Sequence, residues 1–264
     1  MKSLRLNSVG CGFLAAALVV PLALNAQTQP GSRNARPTPE QIRSLPLITH
    51  FATNKTDRFI ADLADVSDGH PFLGKRSPRP HGGAHAYFDN SQARWPKGED
   101  RPENYPAIYA PADGFVVNVT RRFRLTTGAD RYGVDLAFAR TTDGADLKLH
   151  MSIEPFVPEP SPGFYEQFIL VRPGQPVRKG DIIARMWTPR GQSNTHIHFQ
   201  VMRNDGRGGF MAPAIFTRAV AEQFHAKGGR FQRYAAPGAR MPTCLGYLLA
   251  EEENPFGTGA VDAL

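Results

Sequence analysis

Cysteine is nearly absent from this chain of 264 residues, which contains only Cys11 and Cys244. Cys11 directly precedes an apolar run and lies in an amino-terminal segment that we expect to be removed, so the mature chain would keep one cysteine. One cysteine excludes an intrachain disulfide and a zinc site built from cysteines. No motif around Cys244 indicates a nucleophile, and the simpler interpretation is a small buried hydrophobic residue.

Hydrophobic runs long enough for a confident membrane span are also missing. The first five residues include two basic ones, Lys2 and Arg5, residues 12–24 are mostly apolar, and Ala26 follows among small neighbours. This pattern predicts a secretory signal peptide over residues 1–26, and an uncleaved anchor would also place the domain outside the cytoplasm. We therefore expect an exported protein, periplasmic or extracellular, with no stable membrane span after cleavage. Export without disulfides is typical of a bacterial envelope protein.

Charge is only moderately one-sided, with a formal net charge of +7 that falls to +5 if Lys2 and Arg5 leave with the signal peptide. A basic surface in the envelope would favour cell-wall polymer or lipid headgroups before nucleic acid, although ordinary solubility charge explains the excess equally well. The cluster Arg121-Arg122-Phe123-Arg124 is interpreted as a solvated strand end. We expect no nucleic-acid partner.

Alternating apolar residues predict several short strands. The alternating groups are Phe115, Val117 and Val119; Tyr132, Val134, Leu136 and Phe138; and Leu147, Leu149, Met151 and Ile153. Glycine turns at Pro173-Gly174-Gln175 and Lys179-Gly180-Asp181 would join further antiparallel strands. The predicted fold class is mainly β, with an antiparallel sheet sandwich or half-barrel core and a few peripheral helices.

Two helices are predicted outside this core. Thr38 followed by Pro39 favours the start of a short helix, and residues 213–227 carry an apolar stripe that ends at two glycines. His225 is expected on the surface of that second helix. The predicted organisation is a signal peptide over 1–26, a linker and extension over 27–70, a β domain over 71–206, and a helix and tail over 207–264.

The strand Thr195-His196-Ile197-His198-Phe199-Gln200-Val201-Met202 places both histidines on one face and the apolar residues on the other. Taken alone, this pattern also fits a half-buried strand whose solvent face carries two histidines. Other histidines upstream favour a functional interpretation. The chain has no His-Glu-x-x-His motif, so the carboxylate base of that class of zinc protease is absent.

His85 and Asp89 would share one face if the chain between them is extended. Together with His198 they supply two nitrogens and one oxygen, a set that suits Zn²⁺ with a fourth position left for water. His150 and His196 remain available to transfer protons or to hold a developing oxyanion. His70 and His81 are expected to be loop histidines, with His81 as the one rival to His85.

These motifs resemble those of the lysostaphin-like zinc endopeptidases, which cut peptide bridges of bacterial peptidoglycan. The family has His-x-x-x-Asp, a histidine on a central strand, and His-x-His before an aromatic residue, and the resemblance covers about residues 71–204. It implies that His85, Asp89 and His198 bind zinc, with His150 and His196 beside the metal-bound water. Which of these two histidines is the base is left open.

The chain departs from the family pattern at three places. Tyr87 occupies a position where the family usually has glycine. Residues 192–195 replace a glycine-rich segment of the family, and residues 90–105 form an insertion. The five site residues are unaffected.

Two further classes of function stay open. One is a catalytically inactive module of the same fold that binds cell wall or activates a separate hydrolase. The other is a carrier domain, because the sequence of residues 173–181 also resembles the turns of biotinyl and lipoyl domains. The chain lacks the Met-Lys-Met-like turn that carries the modified lysine of such domains. A protein substrate other than peptidoglycan also fits the motifs.

Overall fold

A computed structural model of the chain describes residues 37–70, 72, 83–96, 101–206 and 211–229. The predicted signal peptide, Cys11, His81 and Cys244 lie outside the described residues. The domain boundaries stay a prediction.

A seven-stranded antiparallel sheet dominates the described part of the chain, in the order β1-β2-β9-β6-β5-β4-β7. A second, two-stranded sheet pairs β3 with β8. This arrangement confirms the predicted mainly β class. The strands are β1 Asp68–His70, β2 Ala84–Tyr87, β3 Ala107–Tyr109, β4 Gly114–Arg124, β5 Asp130–Arg140, β6 Asp146–Glu154, β7 Pro176–Val177, β8 Ile182–Arg185 and β9 His196–Arg203.

The two faces of the large sheet differ in polarity because side chains alternate along each strand. In β6 the residues Leu147, Leu149, Met151 and Ile153 are fully buried, and in β9 so are Ile197, Phe199 and Val201. These side chains form one hydrophobic cluster with Ile108 of β3 and Ile183 of β8. The smaller sheet therefore covers the apolar face, and the polar face carries the histidines.

Three short helices accompany the sheets in the described residues: α1 Pro39–Ser44, α2 His50–Thr53 and α3 Arg218–His225. The helix start predicted at Thr38 is confirmed by a capping box, in which Thr38 Oγ1 accepts from the Gln41 N–H and the Gln41 side chain accepts from the Thr38 N–H. No helix among the described residues is long and apolar enough to cross a membrane.

The second helix was predicted too long. Residues 213–217 lie outside it because the Thr56 N–H donates to the Ile215 carbonyl and Phe216 pairs with Thr56 in a parallel bridge. Thr217 caps α3 instead. Its end at His225 differs from the prediction by an amount that is usual for helix ends. His225 is half-buried, and this burial lowers the pKa of its imidazole.

Candidate active site

A row of imidazoles crosses the polar face of the large sheet. His70 lies opposite His85, His85 opposite His198, and His198 opposite Ser152. Directly opposed residues of antiparallel strands point to the same side of the sheet, so the three rings are neighbours. We call His70, His85, His198 and Ser152 the central row. A second row lies on one side of the central row and consists of Tyr87, His196 and Glu154. A third row lies on the other side and consists of Gln200, His150 and Asp135.

The centre of the site is a hydrogen-bonded pair of histidines. His85 Nε2 lies 2.8 Å from His198 Nδ1. The outer nitrogens are also held: Tyr87 Oη is 3.0 Å from His85 Nδ1, and Gln200 Oε1 is 3.1 Å from His198 Nε2. Because the Gln200 oxygen can only accept, His198 carries its proton on Nε2. Its Nδ1 then accepts from His85 Nε2–H, and His85 Nδ1 accepts from the Tyr87 hydroxyl.

This pair has the donor chemistry of a zinc site. Both rings are nearly enclosed, with His85 2% and His198 8% exposed. Neutral imidazole nitrogens are common zinc ligands, and the ring nitrogen that does not bind the metal is usually fixed by a hydrogen bond. Here Tyr87 and Gln200 supply those outer bonds. Two of the three predicted ligands therefore lie together in a fitting arrangement.

The third predicted ligand, Asp89, lies two residues beyond the end of β2. Its Oδ1 accepts from the Ser91 N–H at 2.8 Å, and its own N–H donates to Ser67 Oγ at 3.0 Å. Among the residues that the structure describes, no group of three or more His, Cys, Asp or Glu side chains is placed to hold a metal. Asp89 as a zinc ligand stays a prediction.

His150 is held by a buried carboxylate. Its Nδ1 is 2.6 Å from Asp135 Oδ1, while Lys148 Nζ is 2.7 Å from Oδ2 of the same residue. Burial alone would raise the pKa of the Asp135 carboxyl, but the hydrogen bond and charge of His150 and the charge of Lys148 outweigh it, so the pKa lies below its ordinary value. The carboxylate therefore stays ionised and fixes the orientation of the His150 ring.

His196 faces oxygen atoms on both sides. Its Nδ1 donates to the Asn194 carbonyl at 2.6 Å, and its Nε2 lies 3.4 Å from Glu154 Oε2 without the alignment of a hydrogen bond. Burial opposes ionisation of Glu154, yet the interaction with His196 and the hydroxyl of Ser152 lower the pKa of this carboxyl to about 2. The ring of His196 stacks on His85 at a centroid distance of 4.6 Å.

His70 is not the loop residue that was predicted. It ends strand β1, is fully buried, and its ring centroid lies 4.1 Å from that of His85. The sequence after His70 is rich in turn-forming residues and suggested a loop. A strand of three residues is also too short to show an alternating pattern. The structure thus adds a third imidazole to the central row.

Gly83 closes one side of the central row. A Cβ built at this position would overlap the imidazole ring of His198. Glycine is therefore required at position 83 as long as the ring keeps its place.

Sequence reasoning missed the residues that hold the histidines. Tyr87, Asp135, Glu154 and Gln200 each bond or face a site imidazole, as described above. Three of them, Tyr87, Glu154 and Gln200, lie at even spacings from a site histidine on the same strand, and this alternation is the signal that could have identified them. Asp135 contacts His150 across strands, which spacing along the chain does not show.

The chain is similar in structure to M23 peptidase domains. A protein of Pseudomonas aeruginosa assigned to peptidase family M23 has 19% identity over 64% of this chain and 56% of its own, with a TM-score of 0.29. The chain is also similar to lysostaphin. The solution structure of lysostaphin has 14% identity over 68% of this chain and 57% of its own, with a TM-score of 0.37. The catalytic domain of the antimicrobial peptidase lysostaphin from Staphylococcus simulans has 16% identity over 54% of this chain and 84% of its own, with a TM-score of 0.30.

The predicted resemblance is thereby confirmed as a structural similarity. The chain spans little more than half the length of lysostaphin and of the Pseudomonas protein. No protein-family profile and no curated protein sequence matches the chain.

Proposed function

We propose that this protein is an exported zinc-dependent endopeptidase that hydrolyses peptide bonds, with peptidoglycan cross-bridges or stem peptides as its substrate. The observation that carries the proposal is the pair His85 and His198. Their nitrogens face each other at 2.8 Å on the polar face of the sheet. Export is supported by the signal-peptide pattern of residues 1–26, and the substrate class by the resemblance of the motifs to lysostaphin-like proteins.

Three residues would hold the metal: His85 through Nε2, His198 through Nδ1, and Asp89 through its carboxylate. Bound zinc lowers the pKa of a water ligand and polarises a carbonyl group. For His85 to present a lone pair at Nε2, its proton moves to Nδ1, and the Tyr87 oxygen becomes the acceptor. His198 needs no such change, because its proton already lies on Nε2 against Gln200.

His150 is the residue that we assign as the general base. Its Nδ1 is fixed by Asp135, so its Nε2 is the nitrogen that exchanges a proton with the attacking water or the leaving amine. The side chain is 21% exposed, and its ring centroid lies 6.3 Å from that of His198. The Nδ1 of His196 donates to the Asn194 carbonyl, so its Nε2, which makes no hydrogen bond among the described residues, is the nitrogen that we assign to hold developing charge.

A catalytically inactive wall-binding or hydrolase-activating module is the second candidate. It is favoured by the direct hydrogen bond between His85 and His198 and by the bond that Asp89 makes to the Ser91 amide. In such a module these contacts would be permanent, and the polar face would bind peptidoglycan without cutting it.

Digestion of purified peptidoglycan separates the two candidates. The wild-type chain with added zinc should release soluble muropeptides with new amino termini, and His198→Ala should release none. His225→Ala is the matched control, because this histidine lies on α3 outside the three rows. If wild type binds peptidoglycan but releases nothing at any zinc concentration, the inactive module is the correct assignment.

A further inference from the structure

Arg131 extends the polar face beyond the rows described above. It lies on β5 directly opposite Phe123 of β4, so both side chains are on the same side of the sheet. The guanidinium carbon is 4.6 Å from the centroid of the Phe123 ring. The ring is 51% exposed, and the Arg131 side chain is 25% exposed. An exposed phenyl ring with a guanidinium stacked on it thus borders the site.

The guanidinium is anchored at one corner only. Nη1 donates to Ser152 Oγ at 2.9 Å, whereas Nε is buried and makes no hydrogen bond in the described part of the chain. Glu154 Oε1 forms an ion pair with the same Nη1 at 3.6 Å, and this carboxylate also accepts from Ser152 and faces His196. The protein therefore leaves part of the donor capacity of Arg131 unused.

The anchored corner lies next to the proposed metal ligand. Ser152, which Nη1 contacts, is directly opposite His198 on the neighbouring strand. Adjacent strands are about 4.8 Å apart, so Ser152, which holds the guanidinium, is the immediate neighbour of His198 on the polar face. A peptide whose carbonyl lay at that pair would bring the side chain or α-substituent of the adjoining residue to Arg131.

We propose that Arg131 is a specificity-determining residue that binds a carboxylate on the residue next to the scissile bond. This proposal rests on the proposed function, and it assigns to the peptide substrate a carboxylate beside the bond that is cut. A guanidinium offers paired N–H donors that match the two oxygens of a carboxylate. Stacking on Phe123 holds the guanidinium plane, so the cost of ordering a long side chain is reduced before the ligand arrives.

The test is a binding comparison of two synthetic stem pentapeptides that differ only in one group. In one peptide the α-carboxylate of the glutamyl residue is free, and in the other it is amidated. Calorimetry in the His150→Ala background prevents loss of ligand by cleavage. We expect about ten-fold tighter binding of the free carboxylate, and less than about two-fold preference after Arg131→Gln, with affinity for the amidated peptide unchanged.

Two further variants separate recognition from folding. Arg131→Lys keeps the charge but loses the paired donors, and it should retain only about a three-fold preference. Arg121→Gln is the matched control and should keep the full preference, because Arg121 pairs with Glu166 of the 3-10 helix Phe164–Phe168 instead of Ser152. Melting curves identify any variant that fails to fold.

Each outcome decides a different point. Equal binding of the two peptides, or a preference that survives Arg131→Gln, overturns the role of Arg131 and leaves the peptidoglycan proposal intact. If neither peptide binds and peptidoglycan is not digested, the proposed function falls and the inference falls with it.

Discussion

The hydroxyl of Tyr87 lies 3.0 Å from His85 Nδ1, on the nitrogen opposite the one that faces His198. Tyr87 occupies the position where lysostaphin-like proteins usually have glycine, so this contact follows from a departure in the sequence. The hydroxyl can donate to Nδ1 when His85 bonds to His198 and can accept from it when Nε2 is used for a metal. A phenol can support both states, and glycine has no side chain to do so.

Removing this hydroxyl should weaken metal binding. Tyr87→Phe leaves the outer nitrogen of His85 without its oxygen partner, and loss of such a partner typically costs ten-fold or more, so we expect about a ten-fold weaker zinc affinity. Competition with a chromophoric chelator measures it. Tyr109→Phe is the control, since that hydroxyl donates to Asp62. Equal affinity of Tyr87→Phe and wild type would remove Tyr87 from the proposed site.

Metal content gives the most direct prediction. The mature wild-type chain should bind about one zinc ion, in line with single catalytic zinc sites, and His198→Ala should bind none because one of two facing nitrogens is lost. Elemental analysis after dialysis measures the ratio. A metal-free preparation with full activity would refute the zinc mechanism.

Asp135 should matter through His150. Asp135→Asn removes the charge that orients the ring, and since general-base catalysis contributes about 10² or more to the rate, we expect kcat to fall about 100-fold with little change in KM. The pH profile of kcat should also shift. Lys148→Gln, which removes the other partner of Asp135, should cause a much smaller loss. A parallel rise in KM would instead indicate damage to substrate binding.

Gly83→Ala should displace His198. The added methyl would overlap the imidazole, so the ring cannot keep its present position, and both zinc binding and thermal stability should fall. Gly229→Ala is the matched control, because a Cβ there would meet Asp68 only at an ordinary contact distance of 3.4 Å. Zinc binding by Gly83→Ala that equals wild type would show that the ring can shift without consequence.

The lowered pKa of Glu154 predicts a pH dependence of stability. Its pKa is about 2 in the folded chain against an ordinary value of 4.5. A lowered folded pKa stabilises the protein above the unfolded pKa, and this stability is lost as the pH falls from 4.5 towards 2. Glu154→Gln should therefore be destabilised most at neutral pH, and its difference from wild type in urea unfolding should shrink below pH 4.5. A constant difference would show that the ionisation of Glu154 does not contribute to stability.

Sequence periodicity predicted the strands that build the site. The alternation in β6 and β9 correctly placed His150, His196 and His198 away from the apolar residues, because side chains alternate on any strand. It could not identify the partners across the sheet. Asp135 meets His150 only through the pairing of β5 with β6, and pairing depends on the whole fold.

Two local errors have similar causes. His70 was assigned to a loop because three residues carry too little pattern, yet pairing with β2 places it in the central row. The apolar residues Ile215 and Phe216 were assigned to a helix, but a bridge to Thr56 buries them outside α3. In both cases a contact with a distant part of the chain determined the local structure.

The ladder between β6 and β9 couples assembly of the site to folding. It runs without a bulge from Leu147 opposite Arg203 to Glu154 opposite His196. A register shift of either strand by one position would place its imidazoles in the hydrophobic core and expose its aliphatic side chains to water. The free energy of burial therefore disfavours any one-position shift, and correct pairing of β6 with β9 brings His150, His196 and His198 to the same face of the sheet.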